Sequence, residues 1–137
     1  MGKGKINYFA VIGTAIITLA MLSVSGCANK TPKIEIIPDS YDFGNVPYEK
    51  IKHTFLVRNA GAAPLEIKGV STSCGCTKAA VESETIMPGE TTNLLVTFDP
   101  NIMGDNETGE ILRVIYIKSN DPGQPEVEVE IKANVKK

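Results

Sequence analysis

The chain has 137 residues, a length that accommodates one ordinary domain. It contains 14 Lys and Arg against 16 Asp and Glu, a formal net charge of −2, and only 6% of its residues are aromatic. This charge balance, without a basic run, argues against a protein that binds nucleic acid. The hydrophobic content of 42% is ordinary for a globular domain and excludes disorder throughout the chain.

The N-terminal residues have the layout of an export signal. Lys3 and Lys5 form a short basic region, and an apolar stretch follows over residues 8–24. The segment Val24-Ser25-Gly26-Cys27 resembles a bacterial lipobox, in which the thiol is acylated and cleavage leaves the cysteine as the new N-terminus; Val stands here where Leu is usual. The alternatives are an uncleaved N-terminal helix and an ordinary secretory cleavage site that leaves Cys27 as a free thiol.

We therefore predict three segments: a lipoprotein signal peptide at residues 1–26, a lipidated tether at 27–33 and a folded domain at 34–137. The lipid on Cys27 would anchor the protein to a membrane of the cell envelope, with the domain facing the periplasm or the exterior. Ala28 stands where many Gram-negative bacteria place the Asp that retains lipoproteins at the inner membrane. The outer membrane is thus the expected location in a cell with two membranes.

Beyond the tether, short runs of β-forming residues alternate with turn residues, and no sustained helical period occurs. The predicted strands cover residues 34–37, 41–43, 51–58, 65–70, 94–98, 111–118 and 127–135, with a weaker run at 80–86. The last run alternates strictly between apolar and polar residues, as a strand with one buried face requires. This pattern predicts an all-β fold, an immunoglobulin-like antiparallel β-sandwich of about seven strands.

Several short motifs of the domain carry a family resemblance. In chain order they are Asp42-Phe43-Gly44-Asn45-Val46, His53-Thr54-Phe55, Asn59-Ala60-Gly61, Pro64-Leu65, Ser73-Cys74-Gly75-Cys76-Thr77, Pro88-Gly89-Glu90 and Ser119-Asn120-Asp121-Pro122. Over residues 36–120 or so, this series resembles the bacterial domain-of-unknown-function family catalogued as 1573. More distantly it is similar to immunoglobulin-like sandwiches of the abnormal-spindle/hydin and major-sperm-protein type. The resemblance implies an exported seven-stranded sandwich, often lipid-anchored, and no established activity.

The segment Cys74-Gly75-Cys76 is the candidate site, at the end of the 65–70 strand or in the loop after it. Outside the cytoplasm, oxidation of two neighbouring thiols is the first expectation. A disulfide over this spacing closes a small, strained ring, which Gly75 permits and which favours easy reduction. Alternatively, the two thiolates bind Cu(I) or Zn(II), although a zinc site would lack two ligands. The remaining interpretation is that both cysteines are buried packing residues or form a purely structural disulfide.

Two weaker candidates fit structural roles better than functional ones. His53 is the only histidine, and its register in the 51–58 strand favours a hydrogen-bonded core or edge residue over a catalyst. A Cys–His nucleophile pair would require it to lie beside one of the paired cysteines. Four oxygen-bearing residues that crowd one loop do not match a calcium-loop spacing and predict an exposed polar turn: Asp99, Asn101, Asp105 and Glu107.

From these features we predict a lipid-anchored extracytoplasmic module that binds an unidentified protein of the envelope or gives structural support. Loop ends or an exposed strand edge would offer the contact surface. We expect no enzymatic activity, no cofactor and no nucleic-acid partner. The alternative function is a thiol-based metal-binding or redox protein that uses Cys74 and Cys76.

Overall fold

The computed structural model describes residues 29–104 and 108–137, so Cys27 and the predicted signal peptide lie outside the described residues. These two ranges contain nine strands and one short 3₁₀ helix, Pro100–Ile102. In chain order the strands are β1 (Ile34–Ile37), β2 (Ser40–Pro47), β3 (Ile51–Asn59), β4 (Leu65–Thr72), β5 (Thr77–Val81), β6 (Thr85–Ile86), β7 (Thr91–Phe98), β8 (Gly109–Ser119) and β9 (Glu126–Lys136). No helix in the described part of the chain is long and apolar enough to cross a membrane.

The strands form two sheets, with the orders β1-β3-β7-β5 and β2-β9-β8-β4-β6. The predicted β-sandwich is confirmed, with nine strands where the sequence indicated about seven. The weak run at 80–86 contributes to both β5 and β6. The pairing of β2 with β9 is parallel, unlike the antiparallel pairs that make up the rest of both sheets. A period of two identifies a strand and its buried face, but it carries no information on the direction of the neighbouring strand.

The core lies between the two sheets and is built from alternate residues of the central strands. The apolar inward side chains of β3, β7, β8 and β9 that are at most 3% exposed are Phe55, Val57, Leu94, Val96, Phe98, Ile115, Ile117, Val129, Ile131 and Val135. The charged face of β9 does not protect a sheet edge, because β9 lies between β2 and β8. The open edges belong to β1 and β5 in one sheet and to β2 and β6 in the other.

A fully buried asparagine closes the end of the sandwich where β3 finishes. The Nδ2 of Asn59 donates to the carbonyls of Ala63 at 2.8 Å and Ile86 at 2.9 Å. Its Oδ1 accepts from the N–H of Gly61 at 2.9 Å and of Lys33 at 3.4 Å. One side chain therefore supplies hydrogen bonds to backbone groups of the turn after β3, of the short strand β6 and of the segment that leads into β1.

Part of the predicted tether is hydrogen-bonded to the domain. The N–H of Ala60 donates to the carbonyl of Lys33 at 2.8 Å. Gly61 lies so close to this segment that a Cβ added to it would clash with backbone atoms of Thr31 and Lys33. Glycine is required at this position by close backbone approach. Residues 31–33 therefore belong to the packed structure.

The entry of the chain and the paired cysteines lie at opposite ends of the sandwich. Ile34 is in register with Asn59, the last residue of β3. Thr77, directly after the cysteines, is in register with Phe98, which pairs with Ile51 at the start of β3. Because β3 is 9 residues long and a strand rises about 3.3 Å per residue, the two ends are roughly 26 Å apart.

Candidate functional site

Cys74 and Cys76 lie in the turn between β4 and β5 and form a disulfide in this structure. Their Sγ atoms are 2.14 Å apart and their Cα atoms 5.2 Å apart. The hydroxyl of Thr72 lies within hydrogen-bonding distance of the carbonyls of Cys74, at 3.0 Å, and Thr77, at 2.9 Å. The N–H of Thr77 also donates to the Cys74 carbonyl at 3.1 Å. Both flanking threonines thus hold the turn from its two sides.

The two sulfurs have different surroundings. Cys76 is 2% exposed, whereas Cys74 is partly exposed and packs against the edge of the core. The Nε of Arg113 donates to the Sγ of Cys76 at 3.2 Å, and the Thr77 hydroxyl lies 3.7 Å from the same sulfur. The Sγ of Cys74 accepts instead from the backbone N–H of Cys76 at 3.1 Å. A guanidinium therefore contacts the buried sulfur of the pair.

Arg113 is the site residue that the sequence analysis missed. It lies on β8, 37 positions from Cys76, and its remaining guanidinium nitrogens donate to the Leu112 carbonyl at 2.9 Å and the Sδ of Met103 at 3.1 Å. No local pattern links an arginine on one strand to a cysteine turn so far away in the chain. The contact arises because β4 pairs with β8 in the same sheet.

The residues needed for the other proposed chemistries are not assembled in the described ranges. Within 29–104 and 108–137, no three His, Cys, Asp or Glu side chains converge as metal ligands. His53 is in register with Val96 of β7, which also pairs with Ala79 of β5. It is therefore separated from the strand that follows the cysteines by β7, and a Cys–His pair is not formed.

His53 points inward, as its register predicts. The prediction that it is hydrogen-bonded is wrong for its Nε2 atom. This atom is buried and has no hydrogen-bond partner among the described residues. The imidazole stacks on the ring of Tyr41, with centroids 3.6 Å apart, and makes edge contacts with Phe43 and Phe55. Burial among these rings lowers the pKa of His53 below 6.5, because the charged form loses solvation. The histidine is thus an aromatic packing residue that favours the neutral state.

The polar loop after β7 has a structural role at Asp99. Its carboxylate accepts from the backbone N–H of Asn101 at 3.1 Å and from the Asn101 side chain at 2.9 Å, and it lies 3.4 Å from the Nζ of Lys50. The side-chain bond from Asn101 is the main cause of the lowered pKa of Asp99. The carboxylate caps the 3₁₀ helix. Asp105 and Glu107, the other acidic members of this candidate set, lie outside the described residues.

A second feature adjoins the disulfide turn: the edge of β5. Cys76 continues the hydrogen-bond ladder between β5 and β7, because its carbonyl accepts at 2.8 Å from the N–H of Asp99, the residue directly after β7. Antiparallel hydrogen bonding alternates along a strand, so every second residue after Cys76 also faces β7. The intervening residues Ala79 and Val81 therefore direct their backbone N–H and C=O groups toward the open edge of the sheet.

A groove of about 490 Å³ runs along this edge, between β5 of one sheet and β4 of the other. It begins beside the disulfide turn, and most of its lining is apolar or carries a hydroxyl. The lining residues are Val70, Ser71, Thr72, Thr77, Lys78, Ala79, Ala80, Leu95 and Thr97. The groove is thus bordered on one side by backbone groups that are free to pair with an added strand.

The profile of the family described as "Protein of unknown function (DUF1573)" matches residues 34–135. The chain belongs to the DUF1573 family. This result confirms the domain family that the motifs indicated, and it brings no activity with it. No protein of curated function matches this DUF1573 chain.

Solved structures similar to the DUF1573 chain share its sandwich. A protein of unknown function from Porphyromonas gingivalis W83 is 30% identical, with a TM-score of 0.71 over 77% of this chain and 47% of that one. The VesB protease of Vibrio cholerae is 17% identical, with a TM-score of 0.57 over 74% of this chain and 31% of that one. The ASH/PapD-like domain 7 of human CEP192 is 12% identical, with a TM-score of 0.59 over 78% of this chain and 87% of that one.

The DUF1573 chain spans less than half the length of the first two of these structures. The likeness to VesB is limited to a minor part of that protease, and at this identity it shows the fold alone. The comparisons therefore establish a domain of the DUF1573 family, of unknown function, with an immunoglobulin-like sandwich fold.

Proposed function

We propose that this chain is a membrane-anchored extracytoplasmic module that binds an extended segment of a partner protein along the open edge of β5. The observation that carries the proposal is the row of outward backbone groups at Ala79 and Val81, placed at the rim of a mostly apolar groove. An added strand would pair with these groups and place alternate side chains in the groove. Main-chain bonds would supply affinity, and the groove would supply selectivity.

The surroundings of the edge suggest the chemistry of the partner segment. The groove side offers Val70 and Ala79 to apolar side chains. The outer face of the sheet carries Lys78 and Lys52, which are both exposed and both in register with Thr97. An extended segment that alternates apolar residues with acidic ones fits both sides of this edge.

The other open edges suit strand addition less well. β1 is followed directly by Pro38, and an outward N–H at Ile34 is already bonded to the Asp121 carboxylate at 2.9 Å. β2 contains a register shift at Gly44 and ends at Pro47, and β6 has only 2 residues. Bulges, prolines and short length are the usual features that protect an edge. β5 has 5 regularly paired residues and none of these features.

Location and anchoring are part of the same proposal. The basic start, the apolar stretch and the lipobox-like segment before Cys27 support export and lipid attachment. We propose binding rather than catalysis in the groove, because Lys78 is the only titratable residue of its lining. The partner is then a protein of the envelope, and no nucleic acid is involved.

Selection of peptides from a displayed random library against the full chain tests the proposal. Ala79→Pro removes the outward N–H without removing a bond to β7, whereas Ala79→Ser keeps the N–H and serves as the matched control. We expect the selected peptides to bind Ala79→Pro at least about tenfold more weakly, roughly 1.4 kcal/mol, and to bind Ala79→Ser as tightly as the parent. Peptides that bind all three proteins equally, with Ala79→Pro folded by thermal melting, would refute binding at this edge.

A further inference from the structure

The disulfide turn has an asymmetry that the binding groove does not explain. Cys74 is the partly exposed residue of the pair, and Cys76 is 2% exposed. Arg113 contacts the buried sulfur, with its Nε 3.2 Å from the Sγ of Cys76. A thiolate that approaches from solvent therefore meets Cys74 first, and the sulfur that would be released lies against a cation.

Thiol–disulfide exchange depends on these two properties. The attacking thiolate needs access to one sulfur, and the other sulfur must leave as a thiolate, faster when its pKa is low. A neighbouring Arg stabilises a thiolate and lowers the pKa of its thiol. The Thr77 hydroxyl, 3.7 Å from the same sulfur, provides a second polar contact for the developing negative charge.

We propose that the Cys74–Cys76 disulfide oxidises dithiols, with Cys74 as the sulfur that is attacked and Cys76 as the leaving thiolate stabilised by Arg113. This activity is separate from strand addition along β5 and does not depend on it. The role of Arg113 is catalytic, because its Nε contacts a reacting atom.

The exchange balances in two steps. A partner thiolate forms a bond to the Sγ of Cys74, the Cys74–Cys76 bond breaks, and its electron pair stays on Cys76. The second thiolate of the partner then attacks the partner sulfur of this mixed disulfide and releases Cys74 as a thiolate. The partner dithiol loses two electrons and becomes a disulfide, the cysteine pair gains those electrons, and the two protons of the partner thiols pass to solvent or to the new cysteine thiols.

The first test locates the mixed disulfide on the full chain, purified from membranes in detergent. Glutathione, a monothiol, forms the mixed disulfide without a second thiol of its own to resolve it, and prompt alkylation traps this intermediate and marks the released thiol. Peptide mapping reads Cys74 and Cys76 separately from Cys27. We expect glutathione on Cys74 and the alkyl group on Cys76. The reverse assignment would overturn the proposed roles.

The second test compares Arg113→Met with the matched control Arg58→Met. The control removes an arginine that pairs with Glu35 on the other sheet. Arg113→Met is expected to slow reduction by dithiothreitol about tenfold, and Arg113→Lys to restore part of the rate. The pH midpoint for alkylation of Cys76 in the reduced protein should be higher in Arg113→Met than in the parent, which a purely structural role would not produce. Equal rates in Arg113→Met and Arg58→Met, with both proteins folded, would refute the proposal.

A third comparison distinguishes small dithiols from protein dithiols as the substrate. Dithiothreitol represents small dithiols, and a reduced peptide with a C-x-x-C segment represents protein dithiols. A larger rate constant for the peptide, at equal thiolate concentration, assigns protein dithiols as the substrate, and a larger one for dithiothreitol assigns small dithiols. No reduction by either reagent would overturn the proposal, while loss of peptide-library binding alone would affect only the groove.

Discussion

At the scale of single residues, two buried polar side chains organise the end of the sandwich where the chain enters. Asn59 makes the bonds described above, and Asp121, only 5% exposed, accepts from the backbone N–H groups of Ile34, Gly123 and Gln124. Burial alone would raise the pKa of Asp121, but these three bonds, with the charge of a nearby lysine, lower it. In both side chains, hydrogen bonds thus compensate for the solvation that is lost on burial.

Removal of the Asn59 amide should be costly. Asn59→Ala leaves the carbonyls of Ala63 and Ile86 and the N–H of Gly61 without their partner. We expect the free energy of unfolding to fall by about 3 kcal/mol, measured by urea denaturation. The control is Asn93→Ala, which removes an exposed bond to Glu82 and should change stability by less than about 0.5 kcal/mol. Similar losses for both variants would contradict the role given to Asn59.

His53 predicts a pH dependence of stability. Because the folded pKa lies below 6.5, the unfolded chain takes up this proton first as the pH falls. The contribution of His53 to the free energy of unfolding should therefore be complete above about pH 7. It should decrease as the pH falls from about 6.5 to the folded pKa. His53→Phe keeps an aromatic ring against Tyr41 and should flatten this dependence in urea denaturation between about pH 7 and pH 5. An unchanged slope in the variant would assign the effect to other groups.

At the scale of elements, the sequence predicted what depends on local pattern. The alternation in β9 correctly placed Val129, Ile131 and Val135 in the core and Lys132 on the surface. The inward register of His53 was also predictable, but two of its aromatic partners, Tyr41 and Phe43, come from the other sheet. The parallel partner of β2 and the contact of Arg113 with Cys76 join distant parts of the chain, so no local period contains them.

The close approach at Gly61 predicts a second stability effect. Gly61→Ala would push the entering segment away from the turn, because the new Cβ would clash with the backbone of Thr31 and Lys33. We expect a loss of about 2 kcal/mol or more in urea denaturation. Gly69→Ala is the matched control, since a Cβ there meets no atom within 4 Å and should change little. An equal response of the two glycines would show that the entering segment does not contribute to stability.

At the scale of the whole molecule, the proposed anchor makes one direct prediction. Cys27→Ser removes the acylated sulfur, so processing at residue 27 should stop and no diacylglycerol should be found on the protein by intact mass. In fractionated cells the parent protein should lie with the outer membrane, given Ala28 after the cysteine. Recovery of the parent with the inner membrane alone would overturn the sorting prediction, and a parent without lipid would overturn the anchor.

The opposite placement of chain entry and disulfide turn has a consequence for a chain held at Cys27. The turn and the point where the chain enters the sandwich are roughly 26 Å apart along β3, at about 3.3 Å per residue, so a domain standing upright on the proposed anchor would hold the turn that much farther from the bilayer. A cysteine buried in a membrane-spanning helix does not reach that height. In that orientation the proposed dithiol oxidation would be limited to thiols that project well into the aqueous space, and the domain would act as a spacer between the membrane and Cys74.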